Sequence, residues 1–138
     1  MNRILVGIDG SKTSQIAARE AVRLAEAFGA ELHFITVVRD DNPSVLKVST
    51  DEWEISNLAI AEANVKQFVT SLKANVKYFV SAVEGSPAKA LLSAAEGIKA
   101  DLIVVGNRRM QGVSRVLGSV GNTVAHNASC SVLIVKTV

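Results

Sequence analysis

Long hydrophobic runs are missing from this 138-residue chain. None approaches the roughly 20 apolar residues of a membrane-spanning helix, so membrane attachment is not expected. The opening stretch, MNRILVGIDGS, holds too short an apolar run for a secretory leader. Cysteine occurs once, as Cys130, which rules out an intrachain disulfide and fits a reducing, cytoplasmic setting. Histidine occurs twice, as His33 and His126; two distant histidines and one cysteine do not make a zinc set. An excess of charge of one sign is also lacking, since 15 basic residues face 13 acidic ones for a net charge of +2. That balance is too even for the basic stripe of a nucleic-acid binder. Aromatic residues make up only 4%, so the core has to be built from Val, Ile, Leu and Ala. Hydrophobic residues nevertheless reach 49%, which excludes a disordered chain. No repeat, low-complexity tract or linker interrupts the sequence, and its length suits a single domain over residues 1–138.

What is present is an alternation of short apolar runs and helical patterns. The runs are Ile4–Ile8, Leu32–Val38, Val76–Val83, Leu102–Val105 and Val132–Val135. They have strand length and are rich in β-branched residues. Most are nearly continuous, as expected of strands covered on both faces. Between them, Ile16, Ala17, Ala21, Leu24, Ala25 and Phe28 recur at helical spacing, and Gly29 follows as a stop. Leu58, Ala61, Val65, Phe68 and Leu72 form a second stripe, and Ser49 with Glu52 reads as a capping box ahead of it. Ser86-Pro87 opens a third helix, with Ser as cap and Pro in first position, whose apolar face is Ala88, Leu91, Leu92, Ala95 and Ile98. The segment after Gly118 gives a short fourth helix through about Asn127. Arg39–Lys47 reads as an irregular, mobile loop. The strict β-α alternation predicts an α/β fold: a five-stranded parallel sheet, doubly wound, with helices on both faces. Such sheets bind ligands beyond the carboxyl ends of the strands, where the winding reverses.

Three segments fall at that edge. Gly7-Ile8-Asp9-Gly10-Ser11 ends the first strand. There Asp9 is placed either to accept hydrogen bonds from a ribose or a base, or, with Ser11, to cap the following helix. Thr36-Val37-Val38-Arg39 ends the second, where the backbone either reads an adenine edge or is an ordinary strand end. The third segment runs from Gly106 through Arg108, Arg109 and Gly112 to Arg115 and Gly118-Ser119. Glycine lets backbone amides approach an anion, and Ser119 stands at a helix start, where free N–H groups favour phosphate. The alternative is a surface loop that uses glycines to turn and arginines for solubility.

Several motifs are excluded. Gly10-Ser11-Lys12-Thr13 only echoes the tail of a Walker loop. No G-x-G-x-x-G follows the first strand, and the loop of the ATP pyrophosphatases is missing. A receiver domain would need clustered carboxylates, whereas Asp9 stands alone. Gly121-Asn122-Thr123 resembles part of a flavodoxin phosphate loop but follows the wrong strand. No nucleophile–base pair is supported by spacing, so an enzyme is not expected beyond, at most, a slow ATPase. Asp101 reads as a cap for the fourth strand, Trp53 as a packing or interface residue, and Cys130 as a small buried hydrophobe.

The whole pattern resembles the universal stress protein family. The resemblance is carried by ILVGIDGS near the start, VEGSPAKALLSAAEGIKADLIVVGNRR in the middle and GVSRVLGSVGNTVAHNASCSVLIVKT near the end. It implies a Rossmann-like, adenine nucleotide alpha hydrolase-like fold. It also implies a regulatory stress protein that binds ATP or a related adenine nucleotide, with or without Mg. The ATP-binding members carry G-x2-G-x9-G-[ST]. Gly106 matches the first glycine and Gly118-Ser119 the last pair, while Arg109 replaces the second glycine, with only eight residues between it and Gly118. A side chain there either obstructs the phosphate path or contacts a phosphate, and Gly112 restores some loop freedom. The resemblance further assigns Asp9 to ribose or adenine, Val37 to adenine, Val105 to a place beside the loop and Val120 to one after Ser119. It implies a homodimer through the last strand, Ser131 to Val135, and leaves room for a signalling partner. The competing reading, favoured by Arg109, is a stress-response interaction module that binds no nucleotide.

Overall fold

The computed structural model describes residues 1–39, 44–48, 51–55, 57–107 and 119–136. Its elements are β1 (Arg3–Gly7), α1 (Lys12–Phe28), β2 (Glu31–Val38), β3 (Ser44–Val48), β4 (Asp51–Ile55), α2 (Asn57–Leu72), β5 (Tyr78–Glu84), α3 (Pro87–Ile98), β6 (Leu102–Gly106), α4 (Ser119–Asn127) and β7 (Ser131–Val135). The five expected runs form one parallel sheet in the order β5-β2-β1-β6-β7. After β5 the chain returns to the far side of β1, so the winding reverses between β1 and β6.

The uninterrupted apolar runs resolve into two faces at period two. Ile4, Val6, Leu32, Phe34, Leu102 and Val104 join a core with α1 and α2. Leu5, Ile35, Ile103 and Val105 join a second core with Leu91 and Ala95 of α3 and Val124 of α4. Ala17, Ala18, Ala21 and Ala25 are fully buried; their small side chains keep the axis of α1 close to the sheet. Ile16 and Phe28, expected on that face, are exposed instead, and Ser14 and Val22 take the inward positions. The helix ends where expected, with Gly29 at φ 69° donating its N–H to the Ala25 carbonyl.

Three local expectations are corrected. Arg39–Lys47 is not a loop throughout, because β3 pairs with β4 as an antiparallel hairpin in which Leu46 lies opposite Trp53. The strand content follows from Val45, Leu46, Val48, Trp53 and Ile55, which favour extended backbone. The pair Asp40-Asp41 and Pro43 obscured that signal. Of the expected capping box, Ser49 lies outside the described residues, while Glu52 sits in β4 opposite Lys47 and not at a helix start, since α2 begins only at Asn57. Ser86 does occupy the cap position of α3 with Pro87 next, but its side chain makes no capping hydrogen bond.

Asp101 acts across strands. Its Oδ2 accepts the backbone N–H groups of Asn2 at 2.7 Å and Arg3 at 2.9 Å, tying the start of β6 to that of β1. These two bonds hold its carboxyl below the usual aspartate value of 3.8. A depressed value stabilises the fold above the unfolded aspartate range, and that contribution fades as the pH falls through the folded value. Asp101→Asn is therefore less stable than wild type at neutral pH. The gap in melting temperature closes below about pH 4; a pH-independent gap would show that the charge contributes nothing.

Candidate functional site

A cleft of about 580 Å³ opens at the carboxyl ends of β1, β2 and β6, within the range of small-molecule sites. Its apolar floor is supplied by Ile8, Ile35, Leu91 and Val105, and its rim by Asp9, Thr13, Ser14, Arg39 and Ser119. The ladder carries on into the site, since the Ile8 N–H donates to the Ile35 carbonyl at 2.9 Å just beyond β1. One wall is the start of α4, with Ser119, Val120 and Gly121. The first amides of a helix lack intrahelical partners and carry its positive dipole end. Val124, fully buried in the second core, anchors that helix.

Two glycines shape the floor. A Cβ at Gly7 would stand 3.2 Å from Leu91 Cδ2 and 3.5 Å from Val105 Cγ1. A Cβ at Gly106 would stand 2.7 Å from the Thr13 carbonyl oxygen. The absence of side chains thus lets α1 and α3 close on the strand ends.

Asp9 is tied into the start of α1. Its Oδ1 accepts from the Ser11 N–H at 2.9 Å and from the Ser11 hydroxyl, while its own N–H donates to Ser14 Oγ at 3.3 Å. Ser11 is the helix cap, accepting the Ser14 N–H at 3.2 Å. The two sequence readings of this segment therefore divide between residues: Ser11 caps, and Asp9 faces the cleft.

Of the residues singled out from sequence, Asp9, Val37, Val105, Gly106, Ser119 and Val120 line this one cleft. Arg109, Gly112 and Gly118 lie outside the described residues. Sequence reasoning missed Arg39, Thr13, Ser14, Pro87 and Leu91 as lining residues. Arg39 was legible as the residue just beyond the second strand; Leu91 carried only the helical signal of a core residue.

The remaining titratable groups stand elsewhere. His33 lies in β2, stacks on Phe79 and pairs with Glu31 Oε1 at 3.0 Å. That contact, with lesser help from Arg3, lowers the Glu31 carboxyl. His126 is exposed in the last turn of α4. Cys130 is half-buried against the second core, and burial pushes its thiol up. Among the described residues, no three His, Cys, Asp or Glu side chains cluster to hold a metal ion. No helix among them is long and apolar enough to cross a membrane.

The strand order and the cleft at the reversal of winding match the adenine nucleotide alpha hydrolase-like class of α/β proteins, to which the similar solved structures belong. Within it, the chain belongs to the universal stress protein family, whose profile matches residues 1–136. A universal stress protein of Methanocaldococcus jannaschii is 37% identical over 139 positions, spanning 97% of this chain and 81% of that protein. A universal stress protein solved in complex with cAMP is 28% identical with a TM-score of 0.72, covering 99% of this chain and 98% of the other. The Archaeoglobus fulgidus universal stress protein solved with dAMP shares the fold, with a TM-score of 0.70, 18% identity and 97% of both chains covered.

Proposed function

We propose that this protein is a cytoplasmic regulatory protein of the stress response that binds ATP or a related adenine nucleotide in the cleft at the reversal of winding. The observation that carries the reading is the convergence of Asp9, Val37 and the start of α4 on one cleft. Their chemistry matches the parts of a nucleotide. The Asp9 carboxylate accepts from ribose hydroxyls or an adenine amine. The Val37 backbone offers the N–H and C=O that an adenine edge requires. The apolar floor of Ile35, Leu91 and Val105 takes the flat faces of the base. Gly106 and the first amides of α4 at Ser119 and Val120 receive phosphate oxygens. The family resemblance adds Gly112 and Gly118 to this path, and gives Arg109 either an obstructing or a phosphate-contacting role. The complex of the 28%-identical relative with cAMP supports an adenine nucleotide as the ligand class.

Binding acts through assembly in this reading. β7 is an edge strand whose Val132, Leu133, Ile134 and Val135 are only half-buried. An uncovered apolar edge invites pairing, which supports a homodimer through Ser131 to Val135. Spacing in the sequence supports no nucleophile–base pair, so the reading is of a sensor with, at most, a slow ATPase activity.

Isothermal titration with ATP, ADP, AMP and cAMP, with and without Mg, tests it. The expected result is saturable 1:1 binding of at least one of them at micromolar concentration. Affinities in the millimolar range or weaker for all of them would leave the interaction-module reading, which Arg109 favours.

A further inference from the structure

Ser11 is distinguished by the number of groups it connects. Its hydroxyl carries one proton and contacts three groups: Asp9 Oδ1 at 2.5 Å, Thr13 Oγ1 at 2.9 Å and the Ser14 N–H at 3.2 Å. Donor chemistry settles the directions. A carboxylate oxygen only accepts, so the Ser11 proton goes to Asp9. The Ser14 amide only donates, so Ser11 Oγ accepts from it. With its own proton committed, Ser11 Oγ also accepts from the Thr13 hydroxyl. Behind this chain, the Ser14 hydroxyl donates to the Ser11 carbonyl at 3.0 Å and accepts from the Asp9 N–H. Thr13 and Ser14 are buried, which shields their own bonds to this chain from competing water, while the Ser11–Asp9 bond is exposed. Asp9 is exposed; its Oδ1 is held by the Ser11 N–H as well as by the Ser11 hydroxyl, and loss of the hydroxyl bond would widen the rotamers it samples. Binding would then carry the cost of freezing them.

We infer that Ser11 is a positioning residue of the nucleotide site: its hydroxyl holds the Asp9 carboxylate in the orientation that meets the ligand. The inference rests on the nucleotide reading above and goes beyond it, because Asp9, Thr13 and Ser14 line the cleft while Ser11 acts on it through Asp9. The same hydroxyl caps α1, so the helix that closes on Gly106 and the carboxylate that faces the ligand share a bond to one atom.

The test separates positioning from capping. Glycine replaces serine at a helix cap with little loss of stability, so Ser11→Gly removes the donor and spares the helix. Ser11→Thr keeps both functions. ATP affinity is measured by titration for wild type, Ser11→Gly, Ser11→Thr, Asp9→Ala and the double variant Asp9→Ala with Ser11→Gly, together with each melting temperature. The expected results are a two- to tenfold loss for Ser11→Gly, roughly the worth of one hydrogen bond, and near wild-type affinity for Ser11→Thr. No further loss is expected when Ser11→Gly is added to Asp9→Ala, because no carboxylate remains to be held. Unchanged affinity in Ser11→Gly, or the same loss with and without Asp9, would overturn the inference and leave the nucleotide reading standing. Failure of wild type to bind ATP or any other adenine nucleotide would overturn both. Wild-type affinity in Asp9→Ala would remove the contact through which Ser11 is said to act.

Discussion

Gly106→Ala is expected to destabilise the protein by about 1–3 kcal/mol and to lower its melting temperature by roughly 5–10 °C. The added Cβ would stand 2.7 Å from the Thr13 carbonyl oxygen, 2.8 Å from its carbon and 3.2 Å from the Ser14 nitrogen. All three are backbone atoms, so no side-chain rotation relieves the clash. Either the end of β6 or the first turn of α1 has to move. Neither moves freely, since Val104 and Val105 are buried on opposite faces and four alanines of α1 are fully buried. The displacement would also reach the site, because Ser14 holds the Asp9 backbone; nucleotide affinity should fall with stability. Gly97→Ala is the matching control. A Cβ at Gly97, inside α3, meets nothing within 4 Å, so alanine there should raise stability by about 0.5–1 kcal/mol. Urea denaturation of the two variants checks both signs. Equal midpoints for wild type and Gly106→Ala would mean that α1 does not press on β6.

Asp9→Ala is expected to weaken adenine nucleotide binding about ten- to a hundredfold, the worth of a charge-assisted hydrogen bond at roughly 1.5–3 kcal/mol. The fold should scarcely notice. Asp9 is exposed, and the cap of α1 belongs to Ser11. A loss of affinity without a fall in melting temperature would therefore place the carboxylate on the ligand. Adenine alone should show a smaller loss than ATP if the ribose is the partner, and an equal one if the base is. Titration of both ligands against wild type and Asp9→Ala decides this, and unchanged ATP affinity would remove Asp9 from the site.

Both effects depend on contacts between separate elements of the chain, and there sequence and structure divide. The five runs from Ile4–Ile8 to Val132–Val135 were legible because a strand buried on both faces must be apolar at nearly every position. Which side chain faces which helix was not legible there, since a continuous run has no period to read. The hairpin of β3 and β4 was missed because local composition, with Pro43 and two aspartates beside it, outweighed five extended-favouring residues. The capping box misplaced Glu52 for the same reason: its pattern was present, but pairing with β3 puts Glu52 in a strand.

At the site, Asp9, Gly106, Ser119 and the segment Thr36–Arg39 stood out because each ends a strand or starts a helix at the edge where α/β sheets take ligands, and the family resemblance picked Val37 within that segment. Thr13 and Leu91 did not stand out. A cleft wall assembled from three helices leaves no mark of its shape in any one of their sequences.

Hydrophobic spacing, turn residues and strand ends by themselves determined the class of fold, the edge that bears the cleft and the principal residues along it, because those depend on local burial and backbone preference. Only the tertiary structure decided that Gly106 must lack a side chain, that Ser11 rather than Asp9 caps α1, and that Asp101 ties two strand starts together. Each of those depends on where backbone atoms from different elements meet, and close packing rather than local preference sets that distance.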